Sequence, residues 1–223
     1  MSAVRKIERP QSLTELAYSE LRNGILVGEL AAGARLSVVS LAAEMGMSRS
    51  PVRAAIERLA TDGLMRLTPG GAMVNAPDKA DLLDALQVRS ALEGPAARLA
   101  APQLSPDDLA ELERIQERFR LEVGRDDTTA ARRADLEFHQ RIQLRSGNAT
   151  LIEHLNRVQA RVILATYSTA WGTDQHQAVA EHASILSALQ VGDAAAAEAA
   201  AVTHLDNLTG RIRAEWRRRE QPS

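Results

Sequence analysis

Hydrophobic positions return every three or four residues through most of the chain, and the exceptions are short and grouped. From Ser12 to Val27, Leu13, Leu16, Ala17, Leu21, Ile25 and Leu26 keep helical spacing. Gly28 and Ala31-Ala32-Gly33 end that run. A second, short helix is expected from Val38 to Met45, closed by Gly46, and a third from Arg49 to Thr61, closed by Gly63. Ser48 or Ser50 can cap the third, and Pro51 suits a first turn, where its missing N–H had no partner. Leu64-Met65-Arg66-Leu67, the turn Thr68-Pro69-Gly70-Gly71 and Ala72-Met73-Val74 then read as a short hairpin. Three helices followed by a hairpin is the order of a winged helix.

Beyond Asn75-Ala76-Pro77-Asp78 the pattern changes to long helices without a convincing strand. They are expected over about 79–101, 105–123, 126–146, 148–170, 176–191 and 193–218. Pro102, Gly124, Gly147, Gly172 and Gly192-Asp193 separate them. Ser105-Pro106-Asp107-Asp108 is a strong start signal: a capping Ser, Pro at the first position, acids in the first turn. Gly94-Pro95 should kink the first of these helices. The alanine-rich run from Ala194 to Ala201 favours helix and close packing rather than a linker. The expected fold class is therefore mainly α, an N-terminal winged helix-turn-helix plus a C-terminal all-α antiparallel helical bundle. The domains are residues 1–76 and 77–223.

Composition adds exclusions. The 223 residues include no Cys, so there is no disulfide framework, Cys-ligated zinc, iron–sulfur cluster or thiol nucleophile. Any metal site must use His, carboxylates and water. The start MSAVRKIERPQSLTEL lacks the apolar run of a signal peptide, and no stretch approaches the ~18 apolar residues of a membrane span. A soluble, cytoplasmic protein without membrane contact is expected. The formal net charge of −2 conceals an asymmetry. Residues 1–75 hold nine Lys and Arg against seven Asp and Glu, whereas residues 76–223 hold 18 against 22. The head is mildly basic and the body acidic.

The segment from Val38 to Ile56 fits a helix-turn-helix. Leu41, Ala42, Met47, Val52 and Ile56 would form its small core, and Gly46 turns the chain. Ser48, Arg49, Ser50 and Arg53 fall at the start of the second helix, where recognition helices meet base edges and phosphates. Arg can take the O6/N7 edge of guanine in two hydrogen bonds, while Ser hydroxyls and helix-start amides suit phosphate oxygens. In isolation Arg49 and Arg53 could simply be a solvated helix face. The turn glycine, the Ser-Arg-Ser-Pro start and the hairpin in register favour DNA.

Ala32-Gly33-Ala34-Arg35-Leu36, Leu41-Ala42 and Ser48-Arg49-Ser50-Pro51-Val52-Arg53 resemble the winged helix of GntR-family bacterial repressors. Leu59, Gly63-Leu64 and Gly71-Ala72-Met73-Val74 continue the match. The resemblance implies DNA contacts from Arg35, Ser48, Arg49, Ser50, Pro51 and Arg53, with Gly71 letting the wing tip approach the minor groove. Two positions depart from the pattern. Val38 stands where an acidic residue is usual, and Thr68-Pro69-Gly70-Gly71 has no Arg beside the glycine.

In the body, Asp135 and His139 are four apart and share a helix face with Ala131, Phe138 and Ile142. His182 lies on the stripe of Val179, Leu186 and Leu189, and His204 on that of Ala201, Leu208 and Ile212. Three histidines and a carboxylate thus point inward from three helices. Each histidine could be a hydrogen-bonded core residue. A divalent metal explains all four groups together, since burying ionisable groups without partners costs several kcal/mol. Asp135-Leu136-Glu137-Phe138-His139, Ser146-Gly147-Asn148, the run from Glu181 to Leu186, Gly192-Asp193 and His204-Leu205 resemble the all-helical FCD effector domain of the FadR subfamily. That resemblance implies zinc, nickel or a similar ion on Asp135, His139, His182 and His204.

The other candidates read more plainly. His154 and His176 look like surface residues, and Arg89 with Glu93 like an i,i+4 ion pair, although Arg89 could meet an effector carboxylate. Glu137 and Glu181 neighbour the ligands in sequence but should point elsewhere on their helices. Arg211, Arg213, Arg217, Arg218 and Arg219 read as a solvated helix end, and Tyr167, Trp171 and Trp216 as packing residues. The leading function is a ligand-responsive regulator, a homodimer on a near-palindromic double-stranded operator, with DNA affinity set by a small organic acid at the metal. The alternatives are a metal-dependent hydrolase using the same Asp/His site, and a regulator that senses the metal itself.

Overall fold

The helical periodicities become helices, and their capping chemistry is visible at the ends. The computed structural model describes residues 12–76, 79–125, 128–169 and 175–220, with the side chains of 159–161 and 163–169 also outside the description. In the head, α1 (Leu13–Val27) begins on Ser12, whose hydroxyl accepts from the Glu15 amide, and ends on Gly28 in the left-handed region. The helices α2 (Val38–Glu44) and α3 (Arg49–Thr61) follow, capped by Ser37 and Ser48. The Ser48 hydroxyl makes no capping bond. The wing has three strands rather than the two of the expected hairpin: β1 (Arg35–Ser37), β2 (Met65–Thr68) and β3 (Gly71–Val74), in the order β1-β3-β2. β1 is only three residues long, too short to show a period-2 pattern, so the chain gave no local sign of it.

The body is helical throughout its described residues. It comprises α4 (Lys79–Ala100), a 3-10 turn (Ala101–Gln103), α5 (Pro106–Gly124), α6 (Thr128–Arg145), α7 (Ala149–Thr169), α8 (Gln175–Gln190) and α9 (Ala194–Glu220). Ser105 caps α5 as expected and, with Asp108, forms a capping box: the Ser hydroxyl accepts from the Asp108 amide, and the Asp carboxylate accepts from the Ser105 amide. α4 runs as one helix through Gly94-Pro95. A Cβ on Gly94 would lie 2.7 Å from Val202 Cγ2, so this glycine permits close approach of α9.

Among the described residues, apolar burial divides into four clusters. One fills the head, with Ala17, Leu21, Ile25, Val52, Ile56, Leu59 and Leu64, and it includes one residue of the body, Leu136 on α6. A second joins α4, α5, α6, α8 and α9 through Ala97, Leu112, Phe138, Ile185, Leu189 and Ala201. Smaller clusters surround Trp216 and Phe119. The head is also tied to the body by polar contacts. Arg22 donates to the Asn156 carbonyl and side-chain oxygens at 3.3 and 3.2 Å, and Arg133 pairs with Glu29 at 3.0 Å. No described helix is long and apolar enough to cross a membrane.

Candidate functional site

The sequence stripes converge in the body. α6 supplies Asp135 and His139, α8 supplies His182, and α9 supplies His204. All three histidines are buried, and one ligand atom from each can be chosen so that all lie within 4.8 Å of one another. Asp135 Oδ1 lies 3.8 Å from His139 Nε2 and 3.4 Å from His182 Nε2. Around them the rings stack closely. His182 lies parallel to Phe138 at 4.5 Å between centroids and tilted against Phe119 at 5.0 Å.

Each outer histidine has a carboxylate behind it. His139 Nδ1 lies 2.9 Å from Glu93 Oε2, and His204 Nδ1 lies 2.8 Å from Glu181 Oε2. Each carboxylate is anchored in turn. Arg89 Nε donates to Glu93 Oε1 at 2.6 Å, with Gln143 Nε2 at 3.4 Å from the same oxygen. Arg211 donates both terminal nitrogens to Glu181, at 2.6 and 3.0 Å, and Asn207 adds a bond at 2.9 Å. Glu181 therefore belongs to the site, contrary to its expected placement. Arg211 is held inside the bundle rather than on a solvated helix end. Only the packing of α9 on α8 brings the two together, thirty residues apart, so no local pattern announced the pair.

The charges are arranged accordingly. Burial alone would push both carboxyls up. Arg89 and His139 outweigh it and hold Glu93 far below the usual carboxylate range, while His204 and Arg211 bring Glu181 down to about 2. Burial pushes His182 well below its ordinary value, and the neighbouring His204 and His139 reinforce this. Burial also lowers His204, against the opposing hydrogen bond from Glu181. Neutral imidazoles are the form that ligates metals. Both nitrogens of His182, and Nε2 of His139, are buried without a hydrogen-bond partner. Such orphaned atoms cost about 1–3 kcal/mol each; a cation among the rings would satisfy Nε2 of His139 and one nitrogen of His182. The donor set of three imidazoles and one carboxylate fits a divalent ion such as zinc or nickel.

Arg89 is buried, and its Nη2 also lacks a partner. His154 and His176 are exposed on α7 and α8. Trp216 is buried; Trp171 and the Tyr167 side chain lie outside the described residues.

On the head, Ser48, Arg49, Ser50 and Arg53 are exposed at the start of α3, Pro51 is half-buried, and Arg35 is exposed on β1. Arg35, Arg49 and Arg53 make no ion pair or hydrogen bond with the described residues. Arg66, which the sequence reading passed over, is opposite Met73 on β3, and Met73 is opposite Arg35. The two arginines thus share one face of the sheet. Gly71 has a structural reason to be glycine: a Cβ there would lie 1.9 Å from the Leu36 carbonyl oxygen of β1.

The profile of bacterial regulatory proteins of the gntR family matches residues 13–74, and that of the FCD domain matches residues 84–207. The chain belongs to the GntR family. An HTH-type transcriptional regulator of Streptomyces ambofaciens is 32% identical over 206 residues, covering 84% of this chain and 80% of its own. McbR of Escherichia coli K12, an HTH-type transcriptional regulator, is 32% identical over 152 residues, covering 68% and 69%. The transcriptional repressor RspR of the same organism is 26% identical over 215 residues, covering 96% and 94%. The solved structure of E. coli McbR/YncC superposes with a TM-score of 0.83 at 25% identity, covering 93% of this chain and all of that one. These relatives are transcriptional regulators, and this GntR-family chain is a regulator of the same kind, not an enzyme.

Proposed function

We propose that the chain represses transcription as a homodimer on a near-palindromic operator, and that a small organic acid bound beside a divalent ion in the body modulates its grip. The head, residues 1–76, reads DNA with Arg35, Arg49 and Arg53, with Ser48, Ser50 and Pro51 at the start of α3, and with Gly71 in the wing. The observation that carries the reading is the buried histidine cluster with unsatisfied nitrogens, in a chain whose head exposes Arg35, Arg49 and Arg53 without an ion pair to the described residues. Asp135, His139, His182 and His204 would hold zinc or nickel, which supplies a Lewis-acidic anchor for a carboxylate. The orphaned Nη2 of Arg89 supports a second anchor for the same carboxylate. Two relatives, RspR and a D-xylose utilization operon regulator of Paenarthrobacter nicotinovorans, carry the name repressor, which favours that sign.

Native mass spectrometry of the purified chain should report a dimer carrying one divalent ion per protomer, and elemental analysis should find that ion lost from His182→Ala. Arg49→Ala should weaken operator binding in a mobility-shift titration by about 1–3 kcal/mol and relax base preference while leaving the fold intact. A metal-free parent protein rejects the metal half of the reading. An unchanged titration removes α3 from the DNA contact.

A further inference from the structure

We propose that Glu93 and Glu181 are positioning residues that fix the tautomer of His139 and His204 and so set the affinity of the body for its ion. The inference rests on the metal reading above and concerns groups that do not themselves touch the ion.

The chemistry follows from what each atom can do. An ionised carboxylate only accepts hydrogen bonds. Glu93 and Glu181 each lie within 3 Å of a histidine Nδ1, so Nδ1 must be the protonated nitrogen of both rings. The lone pair is then on Nε2, the atom that His139 leaves buried without a hydrogen-bond partner and near Asp135. A ring free to choose would spend part of its time in the other tautomer, presenting N–H rather than a lone pair to the ion. The carboxylates also raise the donor strength of the rings.

Neither carboxylate can turn away. Glu181 is gripped by the two nitrogens of Arg211 and by Asn207, and Glu93 by Arg89 and Gln143. The two assemblies come from different helix pairs, α4 with α6 and α8 with α9, yet have the same order: guanidinium, carboxylate, imidazole. His182 has no counterpart. Its ring is positioned by Phe119 and Phe138, and neither of its nitrogens makes a hydrogen bond to the described residues, Asp135 Oδ1 lying 3.4 Å from Nε2. Two ligands are thus aimed by charge and one by ring stacking.

The test is zinc affinity of the full-length chain, stripped of metal and titrated against a chromophoric chelator. Glu93→Gln and Glu181→Gln keep the side-chain shape and remove the charge, and each should weaken zinc binding by about 10–100-fold. The metal-free melting temperature of each variant is measured alongside, so that a loss of fold is recognised, and the two variants act on different histidines. Nitrogen-15 spectra of the metal-free protein supply a readout that packing alone does not move. The parent should show His139 and His204 protonated at Nδ1, and each variant should change only the ring it faces. Zinc binding within twofold of the parent in both variants, or Nε2 protonation in the parent, overturns the proposal. A parent that binds no zinc at all overturns the metal reading beneath it, and is told apart by being no different from His182→Ala.

Discussion

His182 is an imidazole with no exposed surface, packed against two phenyl rings and given no hydrogen bond by the described residues. Such a ring stays neutral in the folded chain, whereas an unfolded histidine takes a proton near pH 6.5. His204 is biased the same way. Below that pH the unfolded chain therefore binds protons that the folded, metal-free chain refuses, and stability falls as pH drops. Glu181, held near 2, stays ionised across this window and does not counter the trend. The melting temperature of metal-free protein should decrease steadily from pH 7.5 to pH 5, and His182→Phe should flatten the slope. A flat or rising profile in the parent would mean that the histidines are charged when folded. The convergence of His139, His182, His204 and Asp135 was legible because each repeats the helical period of its own apolar stripe. Glu93 was legible only as half of an ion pair. Glu181 was misplaced because one residue from His182 is a turn of about 100° around the helix. That turn faces it to α9, whose position no sequence period encodes.

At the scale of elements, the head was readable wherever a cap or a glycine announced a boundary. Ser12, Gly28, Ser48 and Gly63 all stand at or beside helix ends, as their chemistry suggests. The third strand escaped because Arg35-Leu36-Ser37 pairs with a strand more than thirty residues later, and pairing at that range leaves no local trace. That strand changes the meaning of Gly71. Family resemblance made it the residue that lets the wing tip reach the minor groove. In the sheet it lies opposite Ser37, and a methyl group there would strike the Leu36 carbonyl. The obstacle is backbone, which cannot swing aside as a side chain can. Gly71→Ala should therefore detach β1 from β3, costing about 1–3 kcal/mol. Hydrogen exchange should show faster exchange at the amides of 35–37 and 71–73. Gly70→Ala provides the contrast. Its φ of 83° strains any side chain, but open space surrounds the new methyl, so β1 should stay paired. If Gly71→Ala weakened DNA binding while leaving these amides protected, the minor-groove role would stand instead.

Over the whole molecule, occupancy of the buried site in the body has to reach the exposed arginines of the head for the proposed regulation to work. α6 offers a direct route. Asp135 and His139 face the buried histidine cluster, while Leu136 between them is buried in the head cluster with Ala17, Leu21 and Ile25 of α1. Arg133, one turn earlier, pairs with Glu29 just beyond α1. A shift of α6 that brings Asp135 and His139 onto an ion therefore displaces a side chain seated in the head. A ligand moves an equilibrium only by its differential affinity for the two arrangements, so this seat must differ between them for a signal to pass. Leu136→Ala empties it. Removing a buried leucine should lower stability by about 2–5 kcal/mol, visible as a reduced melting temperature. The informative measurement is operator affinity with and without zinc. In the parent the two affinities should differ. In Leu136→Ala the ratio should move toward one, because the head no longer registers the position of α6, while zinc affinity itself stays within a few-fold. Arg133→Ala, which removes only an exposed ion pair worth about 0–1 kcal/mol, should leave the ratio close to that of the parent. Were the zinc response to survive Leu136→Ala intact, the signal would have to travel through the α4 end of the body, and the head would be sensing its tether rather than its seat.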